Sequence, residues 1–217
     1  MPSRKSGRVG SMRSINTRLT ALGLMLLTVA CSTTPTSQQQ QGDVESTSSV
    51  TAAAQPSESK DPQLTRALQS IHRLYKKNKL EQAKQELQAL IETHPKQTAP
   101  HIDLGIIQLD EQAPKAAEQS FNAALAIDAE SSTAHNLLGV ALRMQGKFKQ
   151  AEEAYQAALT HQPDYLLAHR NLGILYDLYL AKPKQALQHY QQYQTMLGSK
   201  DKEMENWIID LQRRVGK

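Results

Sequence analysis

Residues 136–165 read NLLGVALRMQGKFKQAEEAYQAALTHQPDY, and the spacing of their apolar positions decides the fold. Leu138 and Leu142, then Phe148, Ala151, Tyr155, Ala158 and Leu159, recur at three- and four-residue steps. That period gathers them on one stripe of a helix, so each half of the segment is predicted to be an amphipathic α-helix. Gly146 separates the halves and supplies the positive φ that the turn needs. Pro163 stops the second helix, because it has no N–H to donate and cannot continue the ladder. Gly139, Ala151 and Ala158 are small enough to let two backbones approach, and Tyr155 fills the space beside them.

Outward from this segment the pattern repeats. Blocks start at Leu64, Thr98, Ser132 and Leu166, each 34 residues after the last. Position 20 is Ala83, Ala117 and Ala151, then Ala186 after one inserted residue; position 24 is Leu87, Phe121, Tyr155 and Tyr190. Position 8 is Ile71, Gly105, Gly139 and Gly173, and Leu104, Leu138 and Leu172 precede the glycines. Self-similarity at one fixed period is the mark of a stacked array in which each unit buries its apolar face on its neighbours. Pro114 and Pro183 open their second helices, where a missing N–H costs little. The inserted residue of block four is assigned to its inner turn, between Tyr176 and Pro183.

This set of positions resembles the tetratricopeptide repeat over about residues 64–200, and Gly139, Gly146, Ala151, Tyr155, Ala158 and Pro163 stand at family positions. The resemblance implies an all-α chain, a right-handed α-solenoid of four helix pairs at 64–97, 98–131, 132–165 and 166–200. Residues 201–217 are expected to add a capping helix, with Met204, Ile208, Leu211 and Val215 on one face and Trp207 beside it. Asp201 or Ser199 is its expected N-cap.

The N-terminal part has a different composition. The formal net charge is +4, yet residues 1–30 carry five basic residues and no acid, which leaves 20 basic against 21 acidic residues in the rest. A broad basic face for nucleic acid is therefore not expected. Leu19 to Ala30 form an apolar run of 12 residues, about 18 Å as a helix against a hydrocarbon core of roughly 30 Å. A basic start, a short apolar core and a small residue before the break read as an export signal over 1–30. Met12 would give that signal a more usual start than Met1. Cys31, the only cysteine, follows the run directly, which resembles a bacterial lipoprotein signal, although Thr28 stands where that pattern usually has leucine. The resemblance implies lipidation of Cys31, and Ser32 after it resembles lipoproteins sent to the outer membrane, facing the periplasm. Residues 31–63 then hold the lipidated cysteine and a Ser-, Thr- and Gln-rich stretch, expected to be a disordered tether with a reach of about 30 Å.

No nucleophile elbow, phosphate loop, dinucleotide fingerprint or zinc-protease motif is present, so no enzyme, cofactor or small-molecule substrate is expected. His101, His135 and His169 recur 34 residues apart. Neighbouring helices lie about 8–10 Å apart, whereas zinc needs its ligand nitrogens about 2.0–2.1 Å away, so these rings are expected to pack at helix-pair contacts.

In tetratricopeptide proteins the concave groove is lined mainly by positions 2, 5, 9, 12 and 13 of the first helices. Carried over, the resemblance implies a partner groove at His72, Tyr75, Ile102, Ile106, Leu109, Asn136, Val140, Arg143, Arg170, Ile174 and Asp177. Position 9 is His72, Ile106, Val140 and Ile174, without the asparagine of the family's carboxylate clamp, so a chaperone-tail clamp is not expected. An apolar stripe beside Arg143 and Arg170 suits an amphipathic helix or an extended segment with an acidic residue. On that reading, Ile106→Asp with Ile174→Asp would abolish partner capture with helix content intact. The expected function is a non-enzymatic scaffold, lipid-anchored in the bacterial envelope, that binds envelope proteins. In layout it is similar to the tetratricopeptide lipoproteins of type IV pilus assembly. The alternative is an adaptor that delivers a peptidoglycan hydrolase or protease.

Overall fold

The structure is a computed structural model that describes residues 61–216. The expected signal, Cys31 and the tether as far as residue 60 lie outside the described residues. Among the latter there are nine α-helices: α1 (Pro62–Lys76), α2 (Leu80–Thr93), α3 (Thr98–Asp110), α4 (Pro114–Ile127), α5 (Ser132–Met144), α6 (Phe148–His161), α7 (Leu166–Ile174), α8 (Pro183–Leu197) and α9 (Lys202–Val215). A π-helical turn, Leu175–Tyr179, prolongs α7. Each helix packs chiefly on its neighbours in the chain, and α5 also touches α3 and α7. Four antiparallel pairs thus stack as an α-solenoid closed by α9. One boundary moves: α1 begins at Pro62 under an Asp61 cap, so Pro62 and Gln63 are helical and not tether. Asp61 Oδ1 accepts the Gln63 N–H at 2.8 Å, relieving one orphan donor of the first turn.

Close approach within each pair follows from the glycines. A Cβ on Gly139 would lie 2.5 Å from the Tyr155 ring, one on Gly173 would lie 2.5 Å from Tyr190, and one on Gly105 would run into Phe121. All three rings are fully buried. The sequence period of 34 thus has a physical meaning. A glycine on the first helix makes a slot, and an aromatic ring on the second fills it. Block one has Ile71 and Leu87 at these positions, two buried aliphatics in a smaller core with Leu64, Leu68, Ala83 and Leu90.

Every inner turn has three residues with a left-handed middle one: Asn78, Gln112, Gly146 and Ala181, at φ of 55°, 57°, 74° and 51°. The turn in block four is therefore as long as the others. Its inserted residue lies in the preceding helix, where the Leu180 N–H reaches back five residues to the Leu175 carbonyl at 3.0 Å. The extra residue thus sits in the helix and not in the inner turn where the sequence places it. A turn of fixed geometry sets the angle between paired helices, and a π turn absorbs one residue at the cost of a single local wider loop.

Ion pairs join consecutive repeats at one recurring place. Lys84 meets Glu111, Lys147 meets Glu118 and Lys182 meets Glu152, each at 2.8 Å. In each, a residue early in a second helix reaches the inner turn of the next block. Partly exposed pairs of this kind contribute about 0.2–1 kcal/mol each. At the C-terminal end, Asp201 Oδ1 accepts the Met204 N–H at 3.1 Å, so Asp201, and not Ser199, caps α9. Met204 and Leu211 of that helix are buried, and the Trp207 ring lies 5.6 Å from Tyr190.

Candidate functional site

The first helices α1, α3, α5 and α7 share one face, and it is more closed than the sequence suggested. Ile106, Leu109, Asn136, Val140 and Ile174 are at most 6% exposed, so none can line a partner surface. Ile106, Leu109, Val140 and Ile174 belong to the main core cluster. Asn136 is wholly enclosed and accepts a 2.9 Å hydrogen bond from Asn171 Nδ2, which ties α5 to α7. Neighbouring first helices pack on one another, and groove positions of a repeat then become inter-repeat core. The change Ile106→Asp with Ile174→Asp would consequently bury two carboxylates and break the stack; it tests packing, not partner capture.

His72, Tyr75, Ile102, Arg143, Arg170 and Asp177 remain partly accessible. The Tyr75 hydroxyl donates to Asp110 Oδ2, joining α1 to α3. Asp177 accepts from Arg214 of α9 at 2.8 Å. Asp103, which no sequence argument singled out, sits on α3 beside His72; burial pushes its carboxyl up to about 6, and the His72 charge pulls it partly back. Tyr179 was also missed. Its ring lies 4.7 Å from Phe148 and 5.8 Å from the Arg143 guanidinium carbon. Leu178 beside it is 67% exposed and Tyr179 41%. The signal that would have found them is the one-residue insertion in block four, since an insertion rotates whatever follows it.

The recurrent histidines take structural roles. His135 Nε2 lies 2.9 Å from the Ala129 carbonyl and His169 Nε2 lies 2.9 Å from the Pro163 carbonyl, in each case six residues back. A carbonyl only accepts, so His169 carries its proton on Nε2. Its Nδ1 then accepts from His189 Nδ1 at 2.9 Å. Burial, and then the neighbouring His169, push His189 down to about 4. Among the described residues no group of three or more His, Cys, Asp or Glu side chains is placed to hold a metal ion. Nor is any described helix long and apolar enough to cross a membrane.

Helix pairs of similar length, a glycine–aromatic slot in each of the last three, and a left-handed residue in every inner turn define a tetratricopeptide solenoid. Tetratricopeptide-repeat family models match residues 68–132 and 132–165. Solved structures agree. The crystal structure of MamA shares 21% identity at a TM-score of 0.58, covering 67% of this chain and 84% of that one. A structure from the functional characterization of Pseudomonas aeruginosa PilF shares 24% identity at a TM-score of 0.63, covering 70% and 68%. At such identities the likeness is one of fold. No curated protein matches the sequence. Residues 68–165 thus carry tetratricopeptide repeats, which are in general non-enzymatic modules that bind protein partners in their groove and imply a protein-interaction scaffold.

Proposed function

We propose that this scaffold is lipid-anchored at Cys31 in the bacterial envelope, at the outer membrane and facing the periplasm. There it recruits envelope proteins to help assemble a membrane complex such as a type IV pilus or secretion machine. The observation that carries this reading is the order along one chain: a basic and apolar N-terminus ending at Cys31, a polar stretch, then the repeats. The likeness to PilF in fold is in keeping with the pilus layout, which itself rests on that order. The accessible part of the first-helix face, around His72, Ile102, Arg143 and Tyr179, is the place for a partner segment.

Two experiments test the reading. Cells fed an alkyne palmitate are expected to label the full chain and to lose the label with Cys31→Ala; labelling that persists in the variant removes the anchor. Affinity capture from detergent-solubilised membranes is then expected to recover pilus or secretion subunits. Leu178→Asp, on an exposed side chain, should abolish their recovery. Recovery of a murein hydrolase or protease instead turns the reading to the delivery adaptor.

A further inference from the structure

We propose that Arg143, with Phe148, Leu178 and Tyr179, forms an anchor for an internal acidic side chain of the partner, an Asp or Glu next to an apolar residue. The proposal rests on the partner-face reading above and names what that face grips. Arg143 stands near the end of α5, its guanidinium against the hydroxyls of Tyr155 and Tyr179. Its Nε is shut off from water and has no acceptor. Among the described residues no carboxylate lies within ion-pair reach of it, although the comparable cations at Lys84, Lys147, Lys182 and Arg214 each have one. Asp177, at the equivalent place in the next repeat, is already held by Arg214. A guanidinium does not give up its proton; burial works against this charge, and the tyrosine hydroxyls that face it offset that cost without supplying an anion. A carboxylate from outside meets that charge on the part of the side chain that remains accessible.

The apolar half of the anchor comes from the π turn. One extra residue rotates everything after it by about 100° relative to an α-helix. Leu178 is thereby left 67% exposed and Tyr179 41% exposed, the latter with its ring under Arg143 and against Phe148. Tyrosine and arginine, both enriched in hot spots, thus meet at one spot, and the exposed Leu178 precedes that tyrosine in the chain. Helix pairs continue on both sides of this spot, so a carboxylate inside a segment fits better than one at a chain end.

The test is fluorescence anisotropy on the full-length chain with two libraries of acetylated, amidated peptides, one with a central Leu-Glu-Leu and one with Leu-Gln-Leu. The acidic library is expected to bind about tenfold tighter, as befits a hydrogen bond to a charged group. Arg143→Gln should erase that preference and leave binding of the glutamine library unchanged. Leu178→Ser, at an exposed site that folding does not need, should weaken both libraries severalfold with the circular dichroism spectrum unaltered. Should Arg143→Gln fail to fold, loss of the acidic preference on raising salt decides the point with the natural chain. Equal binding of the two libraries, or a preference that survives Arg143→Gln, overturns the anchor while a response to Leu178→Ser keeps the partner face. A third set of the same peptides with free C-termini serves as the control, and tight binding of that set alone overturns the internal occupant. No binding of either library overturns anchor and partner face together.

Discussion

Gly139 has no room for a β-carbon, because the Tyr155 ring occupies the 2.5 Å beyond it. Gly139→Ala must push a fully buried ring out of its slot, and overpacking of this kind costs about 1–3 kcal/mol. Thermal denaturation should therefore show a midpoint several degrees lower. Asn136 makes the complementary point from the polar side. Asn136→Ala leaves Asn171 Nδ2 without its buried acceptor, a loss of about 1–3 kcal/mol, readable as a lower urea midpoint at unchanged slope. Two titrating groups with large shifts act on the acid limb of stability in opposite senses. His189 is held down to about 4, so between its ordinary value near 6.5 and about 4 the unfolded chain binds more protons and stability falls as pH falls. Asp103, raised to about 6, acts in the opposite sense: the folded chain binds the extra proton, and stability is lost as pH rises through 6. His189→Gln should flatten the loss on acidification in urea titrations, and Asp103→Asn should steepen the net loss by removing the opposing group. Identical pH profiles for all three proteins would contradict both assignments.

At the scale of the element, the π turn after α7 is the feature that distinguishes block four from its neighbours. The insertion itself is visible in the sequence as a spacing of 35 between Ala151 and Ala186 against 34 elsewhere. Where it is absorbed is not visible, because a turn and a helix both accept one more residue at similar local cost. Tertiary packing settles the matter: all four inner turns keep three residues, with the middle one left-handed. Deleting Leu178 should restore a regular helix. The expected result is a melting midpoint within a few degrees of the natural chain, together with loss of the acidic-peptide preference, since Tyr179 is turned away from Arg143. A large drop in the midpoint would mean that the wider turn is needed for folding.

For the described molecule as a whole, each helix is supported chiefly by its neighbours in the chain, and the last helix packs on the final pair. Removing residues 202–217 exposes the side of Tyr190 that Trp207 covers and takes away the buried side chains of Met204 and Leu211. At about 1.5–3 kcal/mol for each buried side chain, the midpoint should fall by about 10 °C or more in a circular dichroism melt. A truncated chain that melts unchanged would show α9 to be an appendage and not a cap.

The sequence alone determined the class, the four blocks and the pairing of helices within them, because period, glycine–aromatic spacing and turn residues are local and repeat. It also marked Cys31, Arg143, Tyr75 and Asp177 as residues of interest. What only the tertiary structure decided is which first-helix residues remain accessible. Ile106, Leu109, Val140 and Ile174 look like a groove stripe in one repeat and are core once the next repeat is laid beside them. Exposure is a property of the stack, since each repeat buries part of its own inner face on its neighbour. By the same reason a one-residue insertion in block four, silent as composition, turned Leu178 and Tyr179 outward beside the unpaired Arg143.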